Sequence, residues 1–121
     1  KFMPDLRPVF TELSSILRPY GAELEIKTDT QNELYVDTRH IMKNKKPLFF
    51  GAVQVKKRYV AFHLMPVYVQ PALLDSVSSE LKQRMQGKSC FNFTAIDKTL
   101  FEELARLTAA GYASYQSQGY I

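Results

Sequence analysis

Between Pro47 and Tyr68 the chain carries two short strand-like runs, Leu48 to Val55 and Tyr59 to Leu64, separated by Lys56, Lys57 and Arg58. Runs rich in β-branched and aromatic residues read as strands, and a charged break between two of them reads as a hairpin turn. Successive side chains of a strand point to opposite faces, so Val60, Phe62 and Leu64 share one side while Tyr59, Ala61 and His63 share the other. The first set is purely apolar. The second mixes aromatic, small and titratable groups, so one face of the hairpin is expected in the core and the other outside it.

The remaining pattern supplies the elements around this hairpin. Over residues 4–18, Leu6, Val9, Phe10, Leu13, Ile16 and Leu17 recur at three- and four-residue spacing, which predicts a helix with one buried stripe. Asp5 can cap it, Pro8 fits in its first turn, and Pro19 with Gly21 ends it. From Ala22 to Thr28 the alternation predicts a strand with Leu24 and Ile26 inward, and from Glu33 to Thr38 a second with Leu34 and Val36 inward and Tyr35 and Asp37 outward. Arg39 to Lys46 reads as a polar loop. Pro66 and Pro71 bracket an extended connection, after which Ala72 to Gln86 sets Leu74, Val77, Leu81 and Met85 on one helical face, with Gly87 as its C-terminal cap. Ser89 to Phe93 reads as a strand with Phe91 and Phe93 inward. Asp97 can cap a last helix whose stripe is Leu100, Phe101, Leu104, Leu107, Thr108 and Tyr112; Gly111 is expected to end or weaken it.

The expectation is a single α+β domain over residues 1–121, an antiparallel sheet of about five strands with helices packed on one face, in the order α-β-β-β-β-α-β-α. A length of 121 residues with 45% hydrophobic positions suffices for a core without covalent staples. One cysteine, Cys90, excludes an internal disulfide and gives no metal-ligand spacing, so a reducing, cytoplasmic setting is the expectation. No apolar run is long enough for a membrane helix, and the first residues lack the hydrophobic region of a secretory signal. The net charge of +4 is unevenly spread: Arg39, Lys43, Lys45, Lys46, Lys56, Lys57 and Arg58 occupy a stretch without Asp or Glu.

The segments KPLFFGAVQVKKRYVAFHLMPVY and PALLDSVSSELKQRMQGKSCFNF, followed by a Leu-rich last helix, resemble the YdhG-like proteins, a bacterial group with a domain of unknown function. The likeness covers roughly residues 40–112, and residues 4–38 match in element order. It implies a compact α+β domain with a frataxin-like fold and, from at least one relative, an iron-chaperone role. Iron handling of that kind needs clustered carboxylates. Here the tight acidic groupings are Glu23 with Glu25 and Glu102 with Glu103.

If helices cover the Leu24, Ile26, Leu34, Val36, Val60, Phe62 and Phe91 side, the opposite face collects Glu25, Lys27, Tyr35, Gln54, Tyr59, His63, Cys90 and Asn92. Aromatic bodies with polar tips suit contact with a small molecule or another protein chain, including a homodimer partner. Tyr35, Gln54, Tyr59, His63, Cys90 and Asn92 are the candidate binding residues, against the plainer reading of an ordinary wet sheet face. His63 could titrate near neutrality or simply be hydrogen-bonded. Cys90 beside Lys88 could carry a lowered thiol pKa or simply be packed. Lys56, Lys57, Arg58 and Lys88 are candidate anion-binding groups. Nucleic acid is disfavoured because the basic stretch comes without a helix-turn-helix, zinc or ribonucleoprotein motif. No Walker, GxGxxG, HExxH or GxSxG spacing occurs, so a binding module without catalytic residues, metal or cofactor is the expectation.

Overall fold

Hairpin follows hairpin from Glu25 to Leu64, and these local returns lay down most of the sheet. In the computed structural model, which describes residues 5–121, the strands are β1 (Glu25–Asp29), β2 (Glu33–Ile41), β3 (Pro47–Val55), β4 (Val60–Leu64), β5 (Met85–Gln86) and β6 (Cys90–Phe93). All neighbours are antiparallel, in the spatial order β1-β2-β3-β4-β6-β5. The helices are α1 (Arg7–Leu17), the single turn α2 (Met65–Val69), the short α3 (Ser79–Lys82) and α4 (Lys98–Ser117). Six strands form, against about five expected; the extra one is β5.

Packing follows the predicted parity. Leu34, Val36, Val53, Val60, Phe62, Leu64, Phe91 and Phe93 are buried in one core with Val9, Phe10, Leu13 and Leu17 of α1 and Leu100, Phe101, Leu104 and Leu107 of α4. Removal of these apolar surfaces from water is the main force holding the helices to the sheet. Asp97 caps α4 as expected, its Oδ1 accepting the Leu100 amide at 3.1 Å.

Several expectations change. Pro4, where the first predicted helix begins, lies outside the described residues, and α1 starts at Arg7 behind the N-cap Leu6. Asp5 is one residue ahead of that cap, yet its Oδ1 still accepts the Arg7 amide at 3.1 Å. Ala22 belongs to a 3-10 turn, Arg18–Ala22, so β1 is shorter than predicted. Ile26, expected inward, is 40% exposed because β1 is the sheet edge and only part of its inner side is covered. Arg39 to Ile41 extends β2 rather than opening a loop. Their pairing with β3 supplies backbone partners that composition cannot show.

The predicted helix from Ala72 to Gln86 breaks into a 3-10 turn (Pro71–Leu74), α3 and β5. Ser78 causes the break. It is extended (φ −62°, ψ 155°) and its Oγ accepts the Leu81 amide, a capping geometry that starts a new helix. Its own amide and hydroxyl both donate to the Glu103 carboxylate at 2.6 Å. Gly87, expected to cap that helix, instead has φ +78° in the tight turn between β5 and β6. α4 runs on to Ser117 and does not end at Gly111. A Cβ there would stand 2.9 Å from the Pro66 Cβ, so the glycine lets α4 press directly on α2. Tyr115, not Tyr112, is the fully buried tyrosine of this helix.

The two faces should respond differently to truncation. Phe62→Ala removes a side chain with 0% exposure and should cost about 3–5 kcal/mol in urea unfolding. His63→Ala, one residue on, should cost about 1 kcal/mol; comparable losses at both positions would contradict the division of faces.

Candidate functional site

Strand register puts the candidate binding residues into rows across the face that, among the described residues, no helix covers. Tyr35 pairs with Ala52, Ala52 with His63 and His63 with Cys90. The next row runs from Glu33 through Gln54 and Ala61 to Asn92. Five predicted residues thus share one surface, and Tyr59 joins it beside Asn92. Glu25 and Lys27 stand at its β1 border, ion-paired at 3.0 Å.

Phe49 belongs to this surface although simple alternation along β3 places it in the core. The β2–β3 register slips between Val36, which faces Gly51, and Asp37, which faces Phe49, so one extra residue bulges from β3. Phe50 consequently enters the core at 0% exposure, and Phe49 turns to the open side. There its ring stacks on Tyr35 (centroids 4.6 Å) and meets His63 edge-on (4.9 Å). Such offset and edge contacts suit the ring quadrupoles. The carbonyl of Leu48 accepts from Thr38 Oγ1 and that of Phe49 from Tyr115 Oη, each at 2.8 Å, so the irregular strand leaves neither without a donor.

Asp37, next to this aromatic panel, is only 7% exposed. Burial lifts its carboxyl above the usual range, Glu25 adds to that, and Lys27 opposes it. The Tyr35 phenol is raised by burial first and then by Asp37 and Glu33. At the other end, Tyr59, Gln83, Arg84, Met85, Gln86, Asn92 and Thr94 line an open groove of about 350 Å³. Within it Asn92 Nδ2 donates to Gln86 Oε1 at 2.8 Å, while the buried Asn92 Oδ1 has no partner. Periodicity alone puts Arg84 and Gln86 on a helix; the Ser76, Ser78, Ser79 run is the sign in the sequence that the helix breaks. A larger hollow, about 510 Å³, is a shallow and mostly apolar surface along α1 and the 3-10 turn after it, lined by Phe10, Thr11, Ser14, Ser15, Arg18 and Pro19.

The candidate anion group does not assemble. Lys56, Lys57 and Arg58 occupy the β3–β4 turn, whereas Lys88 stands in the β5–β6 turn, and Val60 pairing with Phe93 and His63 with Cys90 puts these turns at opposite ends of the sheet. Arg39, Lys43, Lys45 and Lys46 are likewise separated from Lys56 by the nine residues of β3, about 30 Å. The basic stretch is therefore two small clusters. A lowered Cys90 pKa is also not what the environment produces: burial pushes the thiol up, and the cation that partly opposes this is Lys56, not Lys88. Among the described residues no three His, Cys, Asp or Glu side chains gather as metal ligands, and no helix is long and apolar enough to cross a membrane.

No family model, curated protein or solved structure matches this chain.

Two measurements check this electrostatic picture. Burial holds the His63 imidazole below the ordinary histidine range. Unfolding therefore releases a group that protonates near pH ~6.5 while the folded chain resists that proton. Stability from neutral His63 is complete above that pH and is lost as pH falls toward the depressed folded value. Urea midpoints should accordingly fall between about pH 7.5 and about pH 5 in the wild type and fall less in His63→Gln. Separately, iodoacetamide should alkylate Cys90 more slowly than free cysteine at mildly alkaline pH; a faster rate would contradict the raised thiol.

Proposed function

We propose that this protein is a non-enzymatic binding module of a reducing, cytoplasmic compartment, and that the helix-free sheet face is its working surface. One observation carries the reading. A half-buried row of Tyr35, His63 and Cys90, extended by Phe49 and bordered by the Tyr59–Arg84–Asn92 groove, lies where nothing among the described residues covers it. A surface used only to meet water has no need of stacked rings, whereas recognition surfaces favour aromatic bodies with polar tips. The groove adds a guanidinium, a phenol and side-chain amides within one concavity, a donor set suited to a planar ligand bearing a carboxylate or amide. The face itself is broad enough for a protein partner, a second copy included.

Membership of the YdhG-like group is part of the same proposal and is supported by the residue segments around the central hairpin and Gly87. The iron-chaperone role attached to that resemblance gains nothing from the side chains. Of the acidic residues near the face, Glu25 and Asp37 stand opposite each other on β1 and β2 with Glu33 further along β2, and among the described residues they form no three-ligand cluster.

Benzoate and nicotinamide are suitable first probes, added separately to isotopically labelled protein at dilute concentration. Amide resonance shifts should concentrate at Tyr59, Arg84, Gln86 and Asn92 and shrink in Tyr59→Ala and Asn92→Ala. Shifts confined to α1 and α4, or unaltered by both substitutions, would sink the reading.

A further inference from the structure

The uncovered face is complementary to itself. Its acidic groups lie at one side: Glu33 and Asp37 on β2, neither with an ion-pair partner among the described residues. At the other side lie Arg84 just before β5 and Lys88 in the β5–β6 turn, likewise without ion-pair partners there, while Arg39 near Glu25 and Lys56 near Cys90 are further cations beside the face. Register fixes their heights along the strands. Glu33 shares a row with Gln54, Ala61 and Asn92, and the Asn92 amide donates to the Arg84 carbonyl at 2.8 Å, which brings Arg84 level with Glu33. Asp37 opposite Phe49 stands beyond the Ala52 row on the side where Lys88 stands beyond Cys90.

We propose that this face packs against the same face of a second copy, about a two-fold axis lying between the sheets and parallel to the strands. The proposal deepens the binding-module reading by naming a partner. Such an axis reverses strand order while keeping height, so β2 of one copy covers β6 of its partner, and β3 covers β4. Glu33 then approaches the partner's Arg84, and Asp37 the partner's Lys88. An axis perpendicular to the strands would instead set β2 on β2 and keep Glu33 away from the partner's Arg84.

Shape agrees with charge. The same rotation sets His63 over the partner's Ala52, Gln54 over the partner's Ala61 and Tyr35 over the partner's Cys90, so that large groups meet small or slender ones along each row. Two sheets closing to about 10 Å need this interdigitation. Six strands at about 4.8 Å spacing and about 20 Å of strand length bury roughly 1,000 Å² in total. That is the lower bound of a specific interface, so micromolar rather than tight association follows.

Sedimentation equilibrium of wild-type and charge-reversed chains tests this, with circular dichroism melts confirming that each variant is folded. Glu33→Lys alone and Arg84→Glu alone should each weaken self-association by about tenfold or more, because each places like charges together twice per dimer. Lys88→Glu, in an exposed turn, should weaken it as well. Mixing folded Glu33→Lys with folded Arg84→Glu should restore a heterodimer near wild-type affinity, since both contacts become attractive again. A wild-type chain that stays monomeric near millimolar concentration overturns the dimer, while the probe titration at dilute concentration still judges the face as a binding surface. A dimer indifferent to the three reversals, or singly weakened variants that fail to recover on mixing, overturns it too.

Discussion

The bulge in β3 is the constraint on which the two sides of this molecule depend. A strand with unbroken alternation would send Phe50 outward and Phe49 inward, leaving a hole beneath α4 and a bare phenylalanine above the sheet. One inserted residue reverses both. Phe50 then packs edge-on against Tyr112 and Tyr115 of α4, with centroids at 6.0 and 5.9 Å, while Phe49 completes the panel with Tyr35 and His63. The irregularity is tolerated because its freed carbonyls find donors in Thr38 and Tyr115. Losing either donor would leave a partly buried carbonyl unpaired, which costs more than a single hydrogen bond contributes.

That arrangement ties the open face to the far side of the fold. The Tyr115 hydroxyl reaches through the core from the last helix to the β3 backbone, 66 residues away in sequence. Burial, with Tyr120 adding to it, drives the Tyr115 phenol far above its ordinary range, so it remains a hydrogen-bond donor throughout the accessible pH range. The chain end contributes as well: Tyr120 packs edge-on against Tyr115 and leans on His40. The geometry of the aromatic panel is thus set partly by residues that never touch it.

The second long-range tie is Glu103 with Ser78. Partial desolvation pushes the Glu103 carboxyl up, but the two Ser78 donors, helped by Arg106, prevail and keep it below the usual range. This anchor stops a helix that the hydrophobic spacing alone would continue to Gln86. By doing so it frees Arg84, Met85 and Gln86 to form the edge beside β6, and with it the groove. The proposed binding groove and the proposed dimer contact both draw on that edge.

Much of the architecture was legible locally. The stripes of α1 and α4, the Asp97 cap, the central hairpin and the opposite facings of Phe62 and His63 follow from side-chain period and from which residues lose most by meeting water. Six of the groups on the open face could be named for the same reason. Phe49, Arg84 and Gln86 could not, nor could the sixth strand or the separation of Lys88 from Lys56. Each of these depends on a partner far along the chain: a bulge is defined only by the strand opposite it, and a helix break only by the carboxylate 25 residues on that takes the Ser78 donors. Periodicity reports which way a side chain points from its own backbone. Pairing register decides what it faces, and that is settled only when distant strands and helices compete for the same hydrogen-bonding groups.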